Sequence, residues 1–460
     1  MSATGFLFLL AMAAGLGLAL FRSPLYGLYT YLAIFYLDPP SRWWAADLPN
    51  FRWSLLAAVV TLLGTMRLKA PAGVRPWYKT PPGLILILFT AWLWIQGLWA
   101  LDPYSHRDAS ILFTKYLFLF YLVYRLVDTR EKMTWFLLAH VVGCLYLGWL
   151  ALHADVEARL EGVGGPGINE ANALGMHMAT AVVAGAMLIL VLRGWRQYLC
   201  IVAMPFILNT IVLAGSRSAF LAVLIGGVVL FFMKPQVTKK LFYAFAALGL
   251  VLFLMLAHDV FWKRMDTIAV AANDEQHRDS SSETRVQLFH AQVQMASDYP
   301  FGTGSKGTAA LSPKYLERKY LTGEGAAAAR SSHNTFMTVW VEQGIPGVIL
   351  FVSMLIWAYR AGRTLRRGLA NDASAETAMQ AAAVCAGVTV VFIAGIFVDY
   401  LQAEVQIWML GMLASLVYLR LPAESAQALQ KAPPTPAGPI GRVGRPVAPV
   451  TRKASRRGGV

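Results

Sequence analysis

The stretch "ATAVVAGAMLILVLRGWRQYLCIVAMPFILNTIVLAGSRSAFLAVLIGGVVLFFMK", residues 179–234, holds three apolar runs separated only by "RGWRQ" and "GSRS". Runs of about 15–20 apolar residues match the length an α-helix needs to cross the hydrocarbon core of a bilayer. Inside lipid every backbone N–H and C=O must find a partner within the chain. Long stretches rich in Leu, Ala, Val and Phe therefore fit a helical bundle rather than a β-barrel. The same texture recurs along the chain, which is 57% hydrophobic and 14% charged. An all-α polytopic membrane protein of about 12 transmembrane helices (12–13) is expected.

The net charge of +15 would suggest nucleic acid in a soluble chain, but here the basic residues sit mainly in short loops and the tail. They report topology instead, and no nucleic-acid partner is expected. The separators 67–82, 128–133, 193–197, 234–240 and 360–376 hold 15 Lys and Arg, against 5 in the alternating set 38–52, 102–110, 153–172, 215–218 and 399–405. The positive-inside rule places the first set in the cytoplasm and the second outside. Residues 1–37 read either as two spans or as one span broken at "RSP"; the single span, giving 12 crossings, is preferred. The tail, residues 421–460, is rich in Pro, Gly and Arg and is expected to be a disordered, basic, cytoplasmic segment. Cys144, Cys200 and Cys385 lie in apolar runs and read as small core residues.

One loop differs in size. Residues 258–333 carry many charges of both signs and divide transmembrane segments 1–257 from those of 334–420. Within it Val286, Phe289, Val293 and Ala296 fall at helical spacing, and Ser280 with Glu283 fits a capping box. A small helical domain on the outer membrane face is expected.

Polar groups at the outer ends of spans are the candidates for chemistry, since charge is expensive in a membrane. Arg217 stands in the tight turn "AGSRSAF", either snorkelling to the interface or holding an anion at the next helix start. Arg285 falls in the first turn of a helix, where a cation is disfavoured; Glu283 or an anionic ligand would explain it. Arg264, in "FWKRMD", reads as an interfacial anchor or a further ligand-binding group. His333, in "RSSHNTF", stands among Ser331, Ser332 and Asn334, which make better N-caps. That leaves the imidazole open to act as a general base. The outer loops contain no DxD pair, HExxH or Cys/His cluster, so neither a metal nor another cofactor is expected. "FGTGSKG" (301–307) is only superficially a phosphate loop.

These segments together resemble the O-antigen ligase and O-antigen polymerase superfamily of bacterial membrane glycosyltransferases. The resemblance rests on "AGSRSAF" (214–220), "ETRVQLFHAQVQMASDYPFGTGSKG" (283–307), "SSHNTFMTVWVEQGIPG" (331–347) and "GPGINEANALGM" (165–176). The first 150 residues are similar to a subgroup of O-glycosylation ligases that accompany exosortase systems. The resemblance implies a GT-C-like fold with a large periplasmic loop, in the bacterial inner membrane, with the active site facing the periplasm. It implies a donor glycan on undecaprenyl diphosphate and, in ligases, a hydroxyl of lipid A-core oligosaccharide as acceptor. It assigns catalysis to His333 and diphosphate binding to Arg217 and Arg285, with Arg264, Asn334 and Asn169 as additional substrate-binding candidates. A metal-independent, inverting transfer by a monomer surrounded by membrane lipids is expected. A polymerase, a protein O-oligosaccharyltransferase and, from another class, a lipid-linked glycan flippase remain alternatives.

Overall fold

The computed structural model describes residues 2–49, 51–69, 74–155, 160–234, 239–256, 280–323, 328–369 and 375–420. They form α1 (Ala3–Phe21), α2 (Pro24–Leu37), α3 (Trp53–Met66), α4 (Pro81–Gln96), α5 (Pro103–Leu126) and α6 (Arg130–Leu152). Next come α7 (Ala171–Val191), α8 (Trp195–Leu213), α9 (Arg217–Met233), α10 (Lys239–Leu256), α11 (Ser280–Asp298) and α12 (Gly307–Tyr315). A one-turn α13 (Thr335–Thr338) runs through a π-turn (Val339–Gln343) into α14 (Gly344–Gly368), followed by α15 (Ala375–Ala394) and α16 (Glu404–Ser415). Among the described residues the only extended pairing is a bridge between Thr322 and Ala329.

Among the described residues seven helices are long and apolar enough to cross a membrane: α1, α5, α6, α7, α8, the helix Thr335–Gly368, and α15. Trp53–Met66, Pro81–Gln96, Arg217–Met233 and Lys240–Met255 are apolar but shorter. The architecture is that of an all-α, multi-pass membrane protein; the count of 12 rests on the sequence.

Residues 1–37 fold as two helices, not as one broken span. Ser23 caps α2 and Pro24 occupies its first position, where the missing N–H costs nothing. The pair turns back on itself: a Cβ on Gly15 would strike Thr30, and one on Gly27 would strike Ala19. Large apolar side chains along α1, such as Phe6, Leu7 and Leu10, face outward, as suits contact with lipid tails.

The centre of the bundle belongs to α7 and α15. Their buried faces are rich in Ala and Gly, which let backbones approach where no water drives association. Gly226 of α9 sits against Val183 of α7 and Val390 of α15. His140 and His177 bond between helices. Tyr36 of α2 joins them, 2.5 Å from His140 Nδ1 and 2.9 Å from His177 Nε2, while His140 Nε2 lies 3.0 Å from Thr180 Oγ1. Thr180 already donates to the His177 carbonyl, so it accepts from His140 Nε2–H, and Tyr36 donates to His140 Nδ1. All three cysteines are free and buried.

The loop segment packs on its own small core: Leu288, Ala291, Met295 and Ala296 of α11 with Leu311, Leu316 and Val341. This differs from the expected stripe, for Val286 and Phe289 are exposed. Helix α11 carries two apolar faces, and the buried one is that on which Gln292 grips Ser332, 2.9 Å from its hydroxyl. Of the expected Ser280–Glu283 pair, Ser280 is the first residue of α11 and Glu283 accepts from the Tyr320 hydroxyl at 2.5 Å.

Candidate functional site

The glycine-rich loop 301–307 explains why the site holds its shape. Its Lys306 amide and the amide of Thr308, just inside α12, donate to the Glu342 carboxyl, at 2.9 and 3.4 Å. The apparent phosphate loop is thus closed over a carboxyl group of the same chain. Gly302 and Gly344 take φ of 82° and 65° and press together; a Cβ on Gly344 would stand 2.4 Å from the Gly302 nitrogen. Lys306 adopts φ 64° without being glycine, a conformation that turns its N–H toward Glu342. The π-turn presents Glu342 by carrying one extra residue through the helix, a device common at functional sites.

The α4–α5 corner clamps the same loop. Gln96 Nε2 donates to the carbonyls of Phe301 and Glu342, Trp99 to Gly302, and Trp92 to Gln343. His106 donates from Nε2 to Leu93 O and accepts the Ser305 N–H at Nδ1, 3.0 Å away. Glu342→Ala leaves the Lys306 and Thr308 amides unpaired beneath this clamp. Each buried, unsatisfied donor costs about 1–3 kcal/mol, so a fall in the melting temperature of the purified variant is expected. An unchanged melting temperature would show that the carboxylate does not hold the loop.

His333 stands just before α13, half-buried. Its neighbours have structural tasks. Asn334 Oδ1 caps α13, accepting from Phe336 N at 2.8 Å and Met337 N at 3.2 Å. Ser332 accepts from Gln292 and donates to the Asn334 carbonyl. Thr335 bonds the loop after α15, through Gly395 O, Val398 O and Tyr400 N. The imidazole is left outside this scaffold. Burial, then Arg330, then Arg285 push its pKa down to about 4, so at neutral pH it is an uncharged base.

Arg285 and His333 are therefore brought together, with Arg330 as a neighbour that sequence reading passed over. Arg217 is the first residue of α9, behind the buried N-cap Ser216. Helix α9 runs antiparallel to α15, with Gly226 against Ala386 and Val390. Nine residues, roughly 13.5 Å of helix, carry that register to Arg217 on one side and to the loop after α15 on the other. That loop is the one bonded to Thr335. In it the Asp399 carboxyl is raised above the usual carboxylate range, chiefly by desolvation, with the Leu401 amide and Lys306 opposing. Asn169 is exposed near the start of α7, its carbonyl accepting from Gly162 N. The Asn334 side-chain oxygen is committed to its cap. Arg264 lies outside the described residues.

A multi-pass, all-α membrane protein that sets an imidazole, His333, near two arginines, Arg330 and Arg285, is the class that emerges. Residues 200–352 match the family model described as O-antigen ligase (Wzy_C), which bears out the resemblance to the O-antigen ligase superfamily. The matched segment includes Arg217, Arg285, His333 and Glu342. No curated protein matches the chain in sequence.

Proposed function

We propose that this protein is an O-antigen ligase-type glycosyltransferase that moves a glycan from undecaprenyl diphosphate to a hydroxyl, the lipid A-core hydroxyl being the acceptor of choice, on the periplasmic face of the inner membrane. The observation that carries the reading is the neutral, half-buried His333 set beside Arg285 within the family match. The acceptor oxygen attacks the anomeric carbon as the bond to the diphosphate oxygen breaks, and the bonding pair leaves with that oxygen. His333 takes the acceptor's proton. Arg217 and Arg285 stabilise charge that grows on the leaving diphosphate, acting where water screens little. Attack opposite the leaving group inverts the anomeric centre.

The test is transfer by purified protein, without an energy source, from a lipid-linked oligosaccharide to lipid A-core, to a protein and to a growing chain end. Transfer to lipid A-core alone supports the ligase; transfer to either other acceptor reassigns the substrate. Vectorial transport without transfer defeats the enzyme reading.

The charges around His333 set a pH dependence. Protonation removes the base, so activity falls as pH drops through its pKa. In free enzyme that limb is expected in kcat/KM near the depressed value of about 4. Bound diphosphate offsets the arginine charges and favours imidazolium, so the limb in kcat should lie higher. Coincident limbs in the two profiles would exclude this electrostatic coupling.

A further inference from the structure

We infer that Arg330 is a third cation of the donor site, taking a diphosphate oxygen next to His333. This rests on the lipid-diphosphate reading above and adds to it a residue and a preference between donor and leaving group.

The backbone at Arg330 is fixed from two sides. Its N–H donates to Ser312 Oγ at 2.7 Å, and that buried hydroxyl donates in turn to Ala309 O at 2.8 Å within α12. The preceding residue, Ala329, exchanges two 3.0 Å backbone hydrogen bonds with Thr322. A long side chain is thereby launched from a rigid point three residues ahead of His333. Its Nε is buried and has no hydrogen-bond partner among the described residues. A guanidinium N–H withdrawn from water without an acceptor is costly, and an anionic ligand oxygen supplies the acceptor.

The neighbours sharpen the choice of ligand. Helix α11 places Arg285 two turns before Gln292, on the same face, and Gln292 holds Ser332. Arg285 and Arg330 thus address His333 from different elements, and both are positive. Two guanidinium groups near a neutral imidazole make a positive field that favours an anion there.

The glycosylated donor is a diphosphate diester carrying two negative charges. The leaving group, once the glycosidic bond breaks, is a monoester that gains a third. A cation beside His333 therefore binds the departing diphosphate more strongly than the intact donor, which is the differential that speeds transfer. Arg330 is expected to act more on kcat than on KM.

The experiment uses the full-length protein in lipid nanodiscs and farnesyl diphosphate as the leaving-group probe, with farnesyl monophosphate beside it. Arg330→Ala is expected to weaken farnesyl diphosphate binding about 10- to 100-fold, the range of a charge-assisted hydrogen bond, with Arg330→Lys between it and wild type. Arg330→Gln, which keeps length without charge, carries the measurement should the alanine variant fail to fold. Wild-type affinity in a folded Arg330→Ala or Arg330→Gln, alongside weakened Arg217→Ala and Arg285→Ala, overturns the assignment of Arg330 alone. A wild-type protein that binds the diphosphate no better than the monophosphate defeats the donor reading, and this inference with it.

Discussion

Replacing His333 by alanine is expected to leave binding of the lipid-linked donor close to wild type while lowering glycan transfer by about 10²- to 10⁴-fold, the usual contribution of a positioned general base. The scaffold around it does not depend on the ring. Asn334 makes the cap, Ser332 makes the tie to α11, and Thr335 makes the bonds to the loop after α15. The variant should therefore fold, and its melting temperature serves as the control. Loss of the imidazole also removes the group that burial, with Arg330 and Arg285, keeps unprotonated, so the remaining activity should lose its acid limb. Single-turnover transfer with preloaded donor separates the two steps. A purified His333→Ala protein that transfers at near wild-type rate would end the general-base assignment.

The second large effect is expected at the arginines. Arg217→Ala and Arg285→Ala should each weaken binding of undecaprenyl diphosphate and reduce transfer by about 10²- to 10³-fold, the scale seen when one preorganised group facing developing negative charge is removed. Arg217 heads α9 behind the Ser216 cap, while Arg285 rides on α11. The two cations belong to different parts of the fold, so lysine replacements probe geometry as well as charge: lysine carries a point charge where arginine offers a fork. Unchanged affinity in either alanine variant, measured at equal ionic strength, would remove that arginine from the diphosphate.

Much of this was legible in the sequence, and the reasons are local. Apolar runs of bilayer length announce helices whatever their neighbours are. Ser23–Pro24 carried the start of α2 within two residues, although the preferred reading joined the flanking runs into one span. Residue type alone offered Ser331, Ser332 and Asn334 as caps, and the fold uses Asn334. What escaped depends on distant partners. Glu342 meets Lys306 across 36 positions, so nothing local tells that the glycine loop already holds a carboxyl group. Helix α11 offers two apolar stripes, and only the grip of Gln292 on Ser332, 40 positions away, decides which is buried. Arg330 looked like an ordinary loop cation because the buried environment of its Nε is made by the folded chain.

The π-turn at Val339–Gln343 ties the helix that leads away from His333 to the glycine-rich loop. A regular α-helix advances about 100° and 1.5 Å per residue, and the widened turn takes up one residue beyond that schedule while leaving its flanks in phase. Deleting a single residue there would draw the turn back to an ordinary helix and, by the same step, withdraw the bulge that carries Glu342 to the Lys306 and Thr308 amides. The surplus residue works as a setscrew: it fixes how far the helix reaches toward the loop, and it makes this short segment intolerant of length change even where side chains are exchangeable.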